Sequence, residues 1–317
     1  MHRRILSVVA VLLIISFLSF NVRPEGQTRI QQTDGRRLQT VSPQADSSSK
    51  YSIKLDVPDV VGETYRIDTT STQRKSVTVT FPKKSGQTSE EEFTIELSAD
   101  VVTEAVENNF ATRKRFTVLS SKITRRGNTR SLLPPGTVVV ATKSNTKTLY
   151  IVNGKLVDEQ ITALLRSLIG LRNPGVGDDE MFGTSVRKAV GESWHVNAIE
   201  IKKLLKEMGA LDERGEISGS STLERVDRNH MFVRSSVNMR QVKLPLTGNF
   251  TPETGHVRVD YLGRVPMSTA DRSRSVAGSI HVAVAGTAES TAGTVKLEMV
   301  SDSYSRYEIR PKIKDEG

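Results

Sequence analysis

The sequence predicts an α+β fold, a large, curved, mainly antiparallel sheet resembling an incomplete barrel, with two or three helices packed on one face. From Tyr51 onward most segments alternate apolar and polar residues, which is typical of strands with one buried face. Two segments in the middle of the chain instead have the spacing of amphipathic helices. No helical pattern separates the remaining strands, so neighbouring strands should run antiparallel.

The N-terminus has the pattern of an export signal. A basic patch at residues 2–4 precedes an almost unbroken apolar run over residues 5–20, and a Pro/Gly break follows. No small-residue cleavage triplet stands after the run, and its length is near the lower limit for spanning a bilayer. Residues 1–22 are therefore a cleaved signal peptide or a retained signal anchor. We expect an extracytoplasmic protein of the periplasm or cell envelope, held in the inner membrane by residues 5–22 if uncleaved.

The domain boundaries follow composition. Residues 23–50 are polar and rich in Gln, Thr and Ser, which predicts a disordered linker. Residues 51–312 form a single predicted α+β domain, because the helical segments lie between two halves of one strand-rich region. Residues 313–317 are a short tail.

The strands are predicted from alternation and turn signals. Val77, Val79 and Phe81 alternate with polar residues, and Asn153-Gly154 is a strong hairpin signal. Further strands are expected at residues 93–97, 116–123, 137–142, 148–152, 230–239, 256–263, 278–286 and 293–302.

Two amphipathic helices supply the candidate ligand cavity. Asp158 is the expected N-cap of the first helix, and Asn197 and Glu200 have capping-box spacing at the second. Each helix has one apolar stripe, and Trp194 precedes the second helix. The candidate cavity residues are Ile161, Leu164, Leu165, Leu168, Ile201, Leu204, Leu205, Met208 and Trp194. A filled core made of the same residues is the preferred structural interpretation, and a ligand cavity is the functional one.

Residues 177–196 contain the residue types that most resemble a catalytic or metal site. Asp178, Asp179 and Glu180 are consecutive acids, but they lack the spacing of a calcium loop. We interpret them as a loop before a short helix at 184–191. His195 follows Glu192 and Ser193 too closely for the three to form a catalytic triad.

No catalytic, metal or cofactor site is predicted, and we expect a protein that is not an enzyme. The chain has no cysteine, no G-x-S-x-G, no H-E-x-x-H and no phosphate-binding glycine loop. His230, His256 and His281 lie on three predicted strands, but no supporting ligands accompany them, so surface histidines are the preferred interpretation.

Charge indicates an anionic partner. The net charge is +9, and export away from the genome argues against nucleic acid. The densest basic segment is 113–130, which would form a positive stripe on a strand pair. A solvated hairpin is the preferred interpretation of this segment, and binding to an anionic surface is the functional alternative. Its candidate surface residues are Arg113, Arg115, Lys122, Arg125, Arg126 and Arg130.

Four segments carry a resemblance to known proteins: GETYRI (62–67), LPPGTVVVAT (133–142), GDDEMFGTSVRKAVGESW (177–194) and TGHVRVDYLGRVPMS (254–268). The chain resembles an exported bacterial domain family of unknown function. The second amphipathic helix is a departure from the pattern of that family. The order of elements also resembles the incomplete barrel of periplasmic lipoprotein carriers, whose helices plug the concave face. The resemblance carries over no catalytic residues.

The sequence therefore predicts a non-enzymatic cell-envelope protein that binds a lipid or another apolar ligand between sheet and helices. The alternative is a membrane-proximal interaction or scaffold module that uses the basic face to bind an anionic envelope component. A cavity beside the helix stripes would favour the first function, and steeply salt-dependent binding would favour the second.

Overall fold

A computed structural model describes residues 49–312 apart from 83–84, 145–146, 172–176, 208–210, 243, 245–249, 269 and 291–292. The predicted signal and tail, and most of the predicted linker, lie outside these ranges. Within them, no helix is both long and apolar enough to cross a membrane.

The described chain is essentially all-β, so the predicted α+β class is wrong. The helices are α1 (Glu159–Arg166), α2 (Asp178–Phe182) and α3 (Ala198–Glu207). The strands are β1 (Tyr51–Ile53), β2 (Thr64–Thr80), β3 (Gln87–Glu107), β4 (Phe110–Arg125), β5 (Asn128–Ser131), β6 (Val138–Ser144), β7 (Lys147–Val152), β8 (Lys155–Leu156), β9 (Thr184–Lys188), β10 (Ser193–His195), β11 (Leu211–Asp227), β12 (His230–Val242), β13 (Thr251–Pro266), β14 (Arg274–Ser290) and β15 (Gly293–Pro311). The observed fold class differs from the predicted one because the strands extend far beyond the apolar segments that predicted them, whereas the helices are short.

One large antiparallel sheet holds thirteen of the strands that the structure describes, as the strand patterns predicted. Its order is β10-β11-β12-β13-β14-β15-β2-β3-β4-β6-β7-β8, with β5 paired to β4. The sheet is open, because its two edges are β10 and β8. The other two strands, β1 and β9, pair with each other. The C-terminal strand β15 therefore pairs with β2, the first long strand, in the middle of the sheet.

Several local predictions are confirmed. Asp158 caps α1 by accepting a hydrogen bond from the Ile161 amide at 2.8 Å. Asn197 accepts one from the Glu200 amide at 3.3 Å. The Asn153-Gly154 turn joins β7 to β8 with positive φ at both residues, 46° and 81°, as a tight hairpin requires.

The inner face of the sheet carries two separate apolar clusters. Alternate residues of β2 point to this face, with Tyr65 and Ile67 in one cluster and Val77 and Val79 packed against the other. The first cluster includes the apolar stripe of α1, and the second includes that of α3.

Between the clusters, the same face of β2 and β15 is polar yet buried. We call these residues the polar seam: Thr69, Ser71, Gln73, Ser301, Ser303 and Ser305. The strand register places Ser71 opposite Ser305, and Gln73 opposite Ser303. The hydroxyls of Ser71 and Ser303 have no hydrogen-bond partner among the described residues.

Candidate functional site

Residues 54–63, which we call the strap, link parts of the fold that are distant in sequence. Near its start, the Leu55 amide donates to Asp179 of α2 at 2.6 Å. Further along, the carbonyl of Pro58 accepts a hydrogen bond from Arg272 at 2.6 Å. At its end, the Gly62 amide donates to the Thr103 carbonyl of β3 at 2.9 Å. The strap thus lies close to β3, to α2 and to the segment that leads into β14.

Beside the strap, five neighbouring strands each contribute one polar side chain to the inner face. We call this set the polar row: Arg274 of β14, Tyr307 of β15, Tyr65 of β2, Thr103 of β3 and Lys114 of β4. Arg274 lies opposite Ile309 of β15, and Thr103 lies opposite Lys114. The polar row therefore crosses the sheet near one end of these strands.

Asp59 of the strap forms a buried ion pair with the polar row. Its Oδ1 accepts from Lys114 Nζ at 2.7 Å, and its Oδ2 accepts from the Ala111 amide at 2.9 Å. Both side chains of the ion pair are about nine-tenths buried. Burial by itself would raise the pKa of Asp59, but Lys114, the Ala111 amide and Arg274 together hold that pKa below its ordinary value.

Three buried polar atoms of the polar row lack partners among the described residues. They are Tyr65 Oη, Thr103 Oγ1 and Arg274 Nη1. Thr103 lies beside Tyr65, but the contact between the two hydroxyls falls short of hydrogen-bond geometry. Buried polar groups are usually hydrogen-bonded, so three such atoms in one row mark a site that could accept a further hydrogen-bonding group.

Both phenols of the polar row stay protonated near neutral pH. Burial is the main cause that raises the pKa of Tyr65 and of Tyr307 above the ordinary value, and Asp59 adds to the effect. Each hydroxyl can therefore donate a hydrogen bond.

A second polar cluster lies around His230, which is buried and not a surface histidine. His230 Nε2 lies 2.9 Å from Ser273 Oγ, and that hydroxyl donates to Asp271 at 2.7 Å. In a catalytic triad the carboxylate would instead accept from Nδ1, but here Nδ1 faces Arg264 at 3.3 Å. This cluster therefore lacks the proton-transfer geometry of a serine hydrolase.

The other histidines lie elsewhere. His256 and His281 are neighbours on the outer face with ring centroids 6.5 Å apart, and His281 contacts Asp302 at 2.8 Å. His230 is at the far end of β12. In the described part of the chain, no group of three or more acidic or histidine side chains could hold a metal ion.

The acidic stretch has structural partners. Residues 178–182 form α2 instead of the expected loop, and 184–188 form β9 instead of the expected short helix. Asp179 accepts from the strap, and Glu180 accepts from the Gly177 amide at 2.7 Å. Burial is the main cause that raises the pKa of Asp179. His195 is exposed.

The candidate cavity residues fall into two groups. Leu164, Leu165 and Leu168 are buried in the first cluster, with Ile161 half-buried beside them. Ile201, Leu205 and Trp194 are buried in the second cluster. Trp194 Nε1 also donates to the Phe182 carbonyl at 2.8 Å. Met208 lies outside the described residues, as does the side chain of Leu204. The two helix stripes thus face separate clusters and do not line one shared space.

The predicted basic surface is divided. Arg113 and Arg115 both bind Glu104 at 2.7 Å, and Lys122 lies opposite Glu96. Arg125 packs on the Phe93 ring, 5.4 Å from its centroid. Arg126 and Arg130 are exposed at the β4–β5 turn. Arg126 and Arg130 are therefore the two residues of the predicted basic surface that are exposed beside this turn.

Sequence reasoning missed the polar row and the polar seam. Tyr65 stands in polar surroundings, Thr103 is a single polar residue after Val101 and Val102, and the strap has no periodicity. The one available signal was the strictly alternating serine pattern at 301, 303 and 305, which is typical of one strand face.

Comparisons with known proteins add no family. No protein-family model matches the chain, and no curated protein matches it significantly. A solved structure of MucB in complex with MucA(peri) aligns over 77% of this chain and 94% of that one, with 9% identity and a TM-score of 0.12. A TM-score this low does not establish a common fold. The resemblance to an exported bacterial domain family stays a prediction.

Proposed function

We propose that the protein is a non-enzymatic binding protein of the cell envelope, which holds a lipid or another mainly apolar ligand on the inner face of the sheet. The observation that carries this proposal is the polar seam. Two of its buried hydroxyls, on Ser71 and Ser303, lack partners and lie between two apolar clusters. A ligand with apolar parts and a few polar atoms would cover both kinds of surface.

The envelope location in this proposal depends on the predicted export signal at residues 1–22. The non-enzymatic part is supported by the His230 cluster, in which Arg264 occupies the position that a triad carboxylate would need. A water bound at the polar seam is the competing explanation for the unpartnered hydroxyls.

Native mass spectrometry on protein purified from exporting cells tests the proposal. We expect a stoichiometric added mass that fragments as a lipid or another apolar compound. Ser303→Val, which fills the polar seam and removes a hydroxyl, should reduce that mass. Tyr304→Val, on the outer face of the same strand, should leave it unchanged. A clean apo mass, together with no shift of the unfolding midpoint when lipid is added, would contradict the proposal.

The exposed β4–β5 turn supports a second function, binding of an anionic envelope surface. Arg126 and Arg130 would provide the attraction, and binding should weaken steeply between low and physiological salt. Vesicles containing anionic lipid should sediment the wild-type protein but not the R126E/R130E variant. Arg113→Gln is the matched control, because Glu104 already compensates this charge. Equal sedimentation of R126E/R130E and wild type would rule the function out.

A further inference from the structure

The polar row brings several hydrogen-bond donors to the inner face beside the strap. Arg274 Nη1 can only donate, and Tyr65 and Thr103 each carry a hydroxyl that can donate. Tyr65 and Thr103 are almost completely buried, and the unpartnered atom of Arg274 is buried as well. Unsatisfied buried donors carry a desolvation cost that an acceptor oxygen would remove.

The ion pairs near the strap leave Arg274 without a direct carboxylate partner among the described residues. Asp59 pairs with Lys114, and Glu63 pairs with Arg272 at 3.0 Å. Arg274 is within electrostatic range of Asp59 and Tyr65. Of the two cations of the polar row, Lys114 has a direct carboxylate partner, whereas Nη1 of Arg274 has no partner among the described residues.

Asp59 does not accept a hydrogen bond from Nη1 of Arg274, which has no partner among the described residues. Each of its carboxylate oxygens already accepts a close hydrogen bond, from Lys114 and from the Ala111 amide. A second anion beside Arg274 would pair with the guanidinium directly. Guanidinium groups suit carboxylate and phosphate oxygens, because their fixed N–H donors match the spacing of those oxygens.

We infer that the polar row is a binding site for one oxyanionic group, a carboxylate or a phosphate, with Arg274, Tyr65 and Thr103 as its donors. This inference rests on the proposed function, because the oxyanion would be the polar end of the ligand on the inner face. The apolar part of the ligand would lie against the adjoining cluster around Ile67. The strap lies beside the polar row. The ligand would therefore enter when the contacts between the strap and Arg272 open.

Isothermal titration calorimetry on the purified protein tests the inference with four probes: dodecanoate, dodecyl phosphate, dodecanol and inorganic phosphate. We expect both anionic amphiphiles to bind at least about tenfold more tightly than dodecanol, as a hydrogen bond to a charged group predicts. Tighter binding of dodecanoate would identify a carboxylate headgroup, and tighter binding of dodecyl phosphate would identify a phosphate headgroup. Binding of inorganic phosphate at the same affinity would identify a free-anion site instead of a headgroup site.

Two variants decide whether the polar row is responsible. Arg274→Gln should remove the preference for the anionic amphiphiles, whereas Arg258→Gln, on the outer face and paired with Asp260, should keep it. Tyr65→Phe should weaken dodecanoate binding roughly fivefold. Because this hydroxyl is unpartnered in the free protein, Tyr65→Phe should not lower the unfolding midpoint. If Tyr65 had a purely structural role, the variant would lower the dodecanoate affinity and the unfolding midpoint together.

The failure of this inference differs from the failure of the proposed function. Equal affinity for dodecanoate and dodecanol, unchanged in Arg274→Gln, overturns the oxyanion site but leaves an apolar-ligand protein. If Arg274→Gln does not fold, an unchanged dodecanoate affinity in Tyr65→Phe overturns the site. If no probe binds, the inference is wrong, and a clean apo mass in the native spectrum would then remove the proposed function as well.

Discussion

Replacement of Asp59 by Asn should destabilise the protein strongly, and more than replacement of Lys114 by Met. At the 2.7 Å separation of the ion pair, Coulomb's law with an effective dielectric constant of about 20 gives roughly 6 kcal/mol of attraction. Desolvation offsets part of this, and loss of one partner of a buried pair usually costs about 3–5 kcal/mol. Asp59→Asn leaves both Lys114 and Arg274 without an anion, so we expect the upper end of that range. Lys114→Met leaves Asp59 near Arg274, so we expect the lower end.

Urea unfolding at pH 7, followed by circular dichroism, measures both free energies. Asp260→Asn is the control, because its pair with Arg258 has a similar distance, 2.8 Å, but is exposed and should cost less than about 1 kcal/mol. The pKa of Asp59 is lowered by folding, so its stabilisation is present above the unfolded-state pKa of about 3.9 and is lost as the pH falls through the folded-state pKa. The difference between wild type and Asp59→Asn should therefore shrink at acidic pH. A cost below about 1 kcal/mol for Asp59→Asn, or a larger cost for Lys114→Met, would refute this reasoning.

Three further predictions concern single side chains and use the same unfolding measurement. Asp158→Ala removes the N-cap of α1 and should cost about 1 kcal/mol; an unchanged midpoint would mean that the cap contributes nothing. Trp194→Phe leaves the Phe182 carbonyl without its donor and should cost about 2–3 kcal/mol, whereas a cost near zero would show that water replaces the indole. Ser71→Ala should be neutral or slightly stabilising because the hydroxyl is unpartnered, whereas Ser121→Ala should cost about 1–3 kcal/mol because its hydroxyl is hydrogen-bonded to backbone at 2.7 and 2.9 Å. Equal effects of the two serine variants would contradict this interpretation of the unpartnered hydroxyls.

Local signals in the sequence predicted local structure well. The cap at Asp158 and the Asn153-Gly154 hairpin depend only on neighbouring residues, and both are present. The antiparallel sheet was also predictable, because apolar residues alternate along most strands.

The fold class and the candidate site were not predictable in the same way. Residues 68–73 lie in the middle of β2, yet they are polar on both faces, so no apolar alternation marks them. Their strand conformation depends on hydrogen bonding to β3, the next strand, and to β15, which lies far away in sequence. The same holds for β9, where pairing with β1 overrides a segment that looked helical. Asp59 and Lys114 are 55 residues apart, and only the packing of the strap brings them together.

The pairing of β15 with β2 also bears on when the protein can fold. Tyr65 lies opposite Pro311, so the middle of the sheet joins the two ends of the described chain. The sheet therefore cannot be completed until the last strand has been synthesised, and such distant pairings form slowly. Truncation before residue 293 would remove the central strand and leave β2 and β14 as two unpaired edges, which we expect to aggregate.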